Sequence, residues 1–340
     1  MRDMEDDFLP QGLQLLENTR DLSKNISTFT YENLAFAGKL RSNVFYKFYQ
    51  QTVTSKEPYQ VTANPPLYDL NRIRKDEQYH GYGGAFSYAL RPRLYILGSV
   101  ERAIRFPNER EIFGSPADAI NPGNVQPEQS LNANIGVNLG RFNWAGVHHF
   151  RLNSSLFFRD TQGMIRQAIT TGNSGTSYYE NLEDVLSRGI DAELIYDYRD
   201  RFNFTLNFSK FDVLFNTRYN KEGAEYLYYR QQIRNEPSFK LNATFSYQFP
   251  NFLQTADRML VHFHTAFVEG FLRNWSNVGL NHLDQIPTQL SNDLGFVYTF
   301  PGQKVSFSAD LKNMFNRQRF DNFGLQKPGR AFYSKIVYNF

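Results

Sequence analysis

A period of two dominates this chain. After Arg201, the residues Phe202, Phe204, Leu206 and Phe208 interleave with Asn203, Thr205, Asn207 and Ser209. On a pleated strand that spacing puts rings on one face and hydrogen-bonding groups on the other. Leu241, Ala243, Phe245, Tyr247 and Phe249 repeat the pattern, as do Val305, Phe307, Ala309 and Leu311, and again Leu131, Ala133, Ile135, Val137 and Leu139. Further alternating segments run 25–36, 41–53, 80–90, 93–104, 148–160, 188–198, 259–268, 292–300 and 332–340. The thirteen segments predict an all-β, antiparallel chain, and most are near the roughly 9 to 11 residues with which a tilted strand crosses a bilayer. No segment reads as a helix of comparable length.

A soluble sandwich would alternate too, but its wet face would be rich in Lys and Glu. Here that face is mainly Asn, Ser, Thr, Gly and Gln, which suits a crowded, hydrated lumen. Connection lengths point the same way. Short links at Arg91-Pro92, Arg199-Asp200 and Pro301-Gly302, with slightly longer ones at 37–40, 140–147 and 250–256, alternate with long ones at 54–79, 105–127, 161–187, 216–236, 269–289 and 313–331. Short turns at one end and long loops at the other are expected of a transmembrane β-barrel.

Composition changes the picture only in this light. Aromatic residues make up 16% of the 340, with 32 Phe and 21 Tyr but 2 Trp, while mean hydropathy is −0.54. A ring-covered outer face averaged with a wet lumen and polar loops gives both values. The absence of cysteine excludes disulfides and thiolate metal sites. A net charge of +3 without basic clusters argues against nucleic acid as a partner.

The last segment places Phe332, Ile336, Tyr338 and Phe340 on one face. A final alternating strand that ends on Phe resembles the signal read by the machinery that inserts barrels into bacterial outer membranes, which makes the short turns periplasmic and the long loops extracellular. Single-chain bacterial barrels have an even number of strands. Thirteen therefore predicts that the chain is the C-terminal part of a longer protein, with 1–24 the remnant of an extracellular loop and 25–340 the barrel portion. The acidic start, Met1 to Asp7, lacks a secretory pattern and agrees with that expectation.

Three motifs then carry a family resemblance. Ser99 to Pro107, followed by Glu109 and Glu111-Ile112-Phe113, looks like the strand-to-loop segment of TonB-dependent outer-membrane receptors. Asn121-Pro122 and Pro127-Glu128-Gln129-Ser130 resemble that family's Asn-Pro and Pro-Glu-x-Ser signature. Leu311 to Asn316, Pro328 to Tyr333 and terminal Phe340 are similar to its closing hairpin. The resemblance implies a 22-stranded barrel, of which this chain supplies about the last 13 strands. It also implies a plug domain and TonB-pairing box that are absent from this chain. The expected partners are outer-membrane lipid and lipopolysaccharide, the missing N-terminal barrel and plug segment, TonB through that segment, and an extracellular ligand.

On this reading the chain contributes to TonB-dependent uptake of a scarce siderophore-, cobalamin- or oligosaccharide-like ligand, with no cofactor and no chemical step of its own. A passive, porin-like channel is the alternative. An enzyme would need a convergent catalytic set, and Asp191 with Glu193, or Glu109 with Glu111, read as lumen wall and charged loop. Loop rings and cations are the ligand-binding candidates: Tyr178, Tyr179, Tyr226, Tyr228, Tyr229, Arg230, Arg273 and Trp275. His262 and His264 share a polar face and are weak metal candidates, read first as hydrogen-bonded lumen histidines.

Overall fold

The structure, a computed structural model, describes residues 19–63, 66–114, 125–169, 177–273, 285–321 and 324–340, with backbone alone at 57–63, 66–71, 168–169 and 177. Its strands are β1 (Thr19–Ala35), β2 (Leu40–Ala63), β3 (Pro66–Arg91), β4 (Leu94–Arg105), β5 (Glu128–Trp144), β6 (His148–Ile169), β7 (Ser177–Tyr198) and β8 (Phe202–Phe215). There follow β9 (Phe239–Pro250), β10 (Arg258–Val268), β11 (Phe271–Leu272), β12 (Gln285–Ile286), β13 (Gln289–Thr299), β14 (Val305–Lys312) and β15 (Ala331–Tyr338). One short helix, α1 (Glu109–Phe113), sits in the connection after β4. All strands except the β11–β12 pair form a single antiparallel sheet of 13 in chain order, with β1 and β15 at its two open edges.

The register turns the period of two into a wall with two chemistries. Asn138, Asn153, Glu193, Asn207 and Asn242 lie directly opposite one another from β5 to β9. The next row is Leu139, Leu152, Leu194, Leu206 and Ala243. On the polar face Asn138 Nδ2 donates to Asn153 Oδ1 at 2.5 Å, and Asn153 Nδ2 donates to Glu193 Oε2 at 3.0 Å. That face bounds a hollow of about 1040 Å³. The opposite face carries exposed Ile135, Leu156, Phe158 and Ile336. A backbone paired along its whole length and covered by exposed apolar side chains is a transmembrane barrel wall.

Two connections differ from expectation. The ladder continues through most of 54–79, with Lys56 opposite Arg72 and Ala63 opposite Pro66. It likewise continues through much of 161–187, with Ile169 opposite Ser177. A hairpin that projects into water keeps its backbone bonds without an apolar face, so the alternation fades while the strands persist. For the same reason β1 starts at Thr19, and residues 19–24 are paired with β2.

Glycines let side chains meet across an intervening strand. Gly189 stands opposite both Phe157 and Phe211, whose ring centroids are 6.4 Å apart. A Cβ there would lie 2.5 Å from Lys210 O and 2.8 Å from Phe211 Cα. Gly295 likewise separates His262 from Asp310.

The β9–β10 turn is held by one carboxylate. Asp257 accepts from the backbone N–H groups of Phe252, Leu253 and Gln254 at 2.5, 2.9 and 2.8 Å, and from the Tyr298 hydroxyl at 2.6 Å. Burial opposes the charged form, but the Tyr298 hydroxyl and the three amides outweigh it and hold the carboxyl below the usual carboxylate range.

Two outcomes are expected. Gly189→Val should destabilise the wall by about 1–3 kcal/mol through overpacking against backbone, read as a lower thermal midpoint of heat-modifiable migration. The depressed folded pKa of Asp257 makes its contribution complete above the ordinary carboxylate value and lost as pH falls through the folded value. Amides 252–254 should therefore lose exchange protection in acid relative to the other short turns, and Asp257→Asn should abolish that difference.

Candidate functional site

The connection between β8 and β9 is described over its whole length. As the chain returns from its tip it lies beside β8: Arg230 N donates to Phe215 O at 2.8 Å, Phe215 N to Gln231 O at 3.0 Å, and Ile233 N to Val213 O at 2.8 Å. Ile233 is fully buried in a cluster with Leu182, Val185, Val213 and Phe215, against which Leu272 also packs. Charges lock the base: Arg234 pairs with Glu180 of β7, and Arg166 of β6 pairs with Glu236 at 3.2 Å. Asn235 N donates to Leu272 O at 2.7 Å, which ties this loop to the one after β10.

The tip is a small hairpin. Tyr219 bridges Glu225, and Asn220 Oδ1 accepts from the amides of Glu222 and Ala224 at 3.1 and 2.8 Å. Tyr226 and Tyr228 set their rings edge-on to Phe215, at 5.2 and 4.9 Å between centroids. Burial pushes both hydroxyls up from the ordinary phenol value, so they stay neutral. Tyr229 is different: the guanidiniums of Arg218 and Arg230 lie 5.9 and 5.7 Å from its ring centroid. Arg218 also pairs with Glu225 at 3.1 Å, and Arg230 is exposed.

The other ligand-binding candidates distribute as follows. Tyr178 and Tyr179 are half-buried near the start of β7, beside the Glu180 that takes Arg234. Arg273 directly follows Leu272 and reaches the loop after β14, since a Cβ on Gly324 would lie 2.8 Å from its Nη1. Of these candidates, Tyr226 and Tyr228 pack against the buried cluster. Trp275 and Asn121-Pro122 lie outside the described residues. Sequence reading missed Arg218, which is 11 positions from Tyr229 and joins it only because the tip folds back. It also missed Ile233, a lone apolar residue in a polar stretch.

The histidines do not converge. His262 reaches across Gly295 to Asp310 at 3.0 Å, while His264 Nδ1 meets Thr244 Oγ1 at 3.0 Å. Among the described residues no three His, Cys, Asp or Glu side chains come together as a metal site. Asp191 accepts from Ser209 at 2.5 Å and Glu193 from Asn153 at 3.0 Å, both on the lumen wall. Glu111 caps α1 and pairs with Arg105 at 3.0 Å. Phe332, Ile336 and Tyr338 share the outward face of β15, while Tyr333 and Lys335 face inward with Asp310 and Ser308.

A one-sheet wall with an apolar exterior and an inner face carrying rows of amides and hydroxyls defines the class, a transmembrane β-barrel. The sequence model described as "TonB dependent receptor-like, beta-barrel" matches residues 19–330, and the chain belongs to that family. Among solved structures it is similar to the copper transporter OprC, with a TM-score of 0.69 and 12% identity over 94% of this chain and 48% of that one. It is similar to BauA, the ferric preacinetobactin receptor from Acinetobacter baumannii, with a TM-score of 0.67 and 14% identity over 94% and 43%. The ferric yersiniabactin uptake receptor FyuA from Yersinia pestis gives a TM-score of 0.64 and 13% identity over 95% and 46%. At these identities the likeness is one of fold, and this chain spans less than half the length of each of the three. No curated protein matches it.

Truncating the buried anchor should free the loop. Ile233→Ala is expected to cost about 2–5 kcal/mol locally. Amide exchange should rise across 226–236 while the strands keep their protection.

Proposed function

We propose that this chain forms part of the wall and ligand-recognising rim of an outer-membrane receptor that takes up a scarce ligand with energy delivered through TonB. The carrying observation is the β8–β9 loop, whose packed base presents Tyr229 beside two guanidiniums, Arg230 among them exposed. A ring beside two exposed cations suits an anionic ligand, because the guanidiniums pair with oxyanions. The similar structures, a copper transporter and two ferric-chelate receptors, favour a metal-bearing, siderophore-like ligand. Tyr178, Tyr179, Arg273 and Trp275 remain further ligand-binding candidates in this proposal, while Tyr226 and Tyr228 support the rim through their packing on Phe215.

The open edges of β1 and β15 cannot face lipid unpaired. In this proposal further strands, carried outside this chain together with a plug, complete the barrel, and TonB engages the receptor through that part. Phe332, Ile336, Tyr338 and Phe340 would serve as the insertion signal. The outer wall would contact lipid and lipopolysaccharide.

The test uses the complete receptor and a panel of ferric chelates. Replacing Arg218, Tyr229 and Arg230 together by Ala should weaken the bound chelate by about tenfold to a hundredfold, with heat-modifiable folding unchanged. Unchanged affinity would remove the rim assignment. Uptake that persists after the proton-motive force is collapsed would instead indicate a passive channel.

A further inference from the structure

The short-turn end of the inner wall carries a group of arginines far from the β8–β9 loop. In β5 a bulge sets two residues, Gly140 and Arg141, against the single Arg151 of β6. To either side of it Leu139 and Phe142 stand opposite Leu152 and Phe150 in outward rows. Gly140, Arg141 and Arg151 therefore lie on the inner side, next to the Asn138–Asn153–Glu193 row that bounds the hollow. A bulge gives up regular pairing and re-aims side chains. Arg93, in the turn before β4, joins the group. Gly140 N donates to Arg93 O at 2.7 Å and Arg93 Nη1 donates to Arg141 O at 2.8 Å. A Cβ on Gly140 would lie 3.3 Å from the Arg93 Cβ, and as a glycine it puts no side chain between Arg93 and Arg151.

Three guanidiniums thus share two strand spacings, roughly 10 Å of wall. Like charges so close repel one another, and the carboxylates around them do not offset all three. Asp200 reaches Arg141 at 3.5 Å, with its own side chain 81% exposed. Asp197 and Glu193, on the neighbouring β7, accept from Asn203 at 2.8 Å and from Asn153 at 3.0 Å. His149 Nδ1 faces Asn143 Oδ1 at 2.8 Å. Among the described residues neither Arg93 nor Arg151 has a carboxylate within ion-pair distance, and all three arginines are exposed. The loop end is arranged otherwise, since Arg166, Arg234 and Lys210 each meet a glutamate there. Exposed guanidiniums short of counter-charge have forks free for an anion with several oxygens. The hollow adjoins them on one side and the short turns on the other, so they stand where a molecule that has crossed the hollow would leave it.

We infer that Arg93, Arg141 and Arg151 form an oxyanion site at the turn end of the hollow, which receives the anionic ligand after it leaves the rim. The inference rests on the anionic-ligand reading of Arg218, Tyr229 and Arg230, and adds a second site of the same chemistry at the opposite end of the wall.

The test uses the complete receptor carrying Arg218→Ala, Tyr229→Ala and Arg230→Ala, so that the rim cannot contribute, with pyrenetetrasulfonate as a fluorescent polyanion. Anisotropy titration should still show binding. Arg93→Gln combined with Arg151→Gln should weaken it about tenfold with unchanged heat-modifiable migration, and Arg258→Gln, another cation of the turn end, should not. Arg151→Gln alone should lose about threefold and serves as the second variant if the pair does not fold. No binding, equal binding by the double variant, equal loss by Arg258→Gln, or equal binding of the uncharged tetrasulfonamide would overturn the site. With the rim intact, the double variant should lower the maximal uptake rate of the bound chelate without changing its affinity at the cell surface; unchanged uptake would overturn the transfer role. Failure of the rim reading would show differently, as chelate affinity indifferent to the rim replacements while the probe still binds at the turn end.

Discussion

Every backbone amide that enters lipid must already have its partner, and that constraint organises the rest of the molecule. Thirteen strands meet it by pairing each with the next in chain order, the arrangement that short turns allow. Once the ladder is set, the pleat sends alternate side chains to opposite sides of one sheet. The wall is a single layer with no interior between sheets, so apolar residues face outward and amides line the hollow. The same constraint applies to the edges of β1 and β15, which is why the proposed function includes strands that close them.

A single-layer wall has few places to bury anything, and the buried residues mark where the chain builds upward. Ile233, Val185, Val213 and Phe215 form a core at the loop end, reinforced by the Arg234–Glu180 and Arg166–Glu236 pairs. That core turns part of a long connection into a platform. The tip above it can expose Arg230 because Tyr226 and Tyr228 carry the packing. Within the lumen, glycines do related work on a smaller scale. Gly189 lets Phe157 and Phe211 meet, and Gly295 lets His262 reach Asp310, contacts that any Cβ would block.

Strand positions were legible wherever one face met lipid, as in Phe202 to Ser209 or Leu241 to Phe249, because burial in hydrocarbon imposes a strict period. They were illegible where both faces meet water, so β2 and β3, like β6 and β7, run well beyond their apolar limits. The rim was half legible. Ring and cation content singled out Tyr229 and Arg230, but composition does not say that Tyr226 and Tyr228 face the core, nor that Arg218 returns to the same ring. The two histidines of β10 shared a face as expected and yet took separate partners, since their neighbours on β9 and β14 differ.

The sequence by itself determined the fold class, the strand order and the two faces, because these follow from local alternation and connection length, while the family was legible only in the resemblance of three motifs. Tertiary structure alone decided which loop residues are support and which are surface, which charges are neutralised and which strand neighbours meet across a glycine. Those outcomes depend on pairings between residues far apart in the chain, and a period of two carries no record of register or of how a loop folds back.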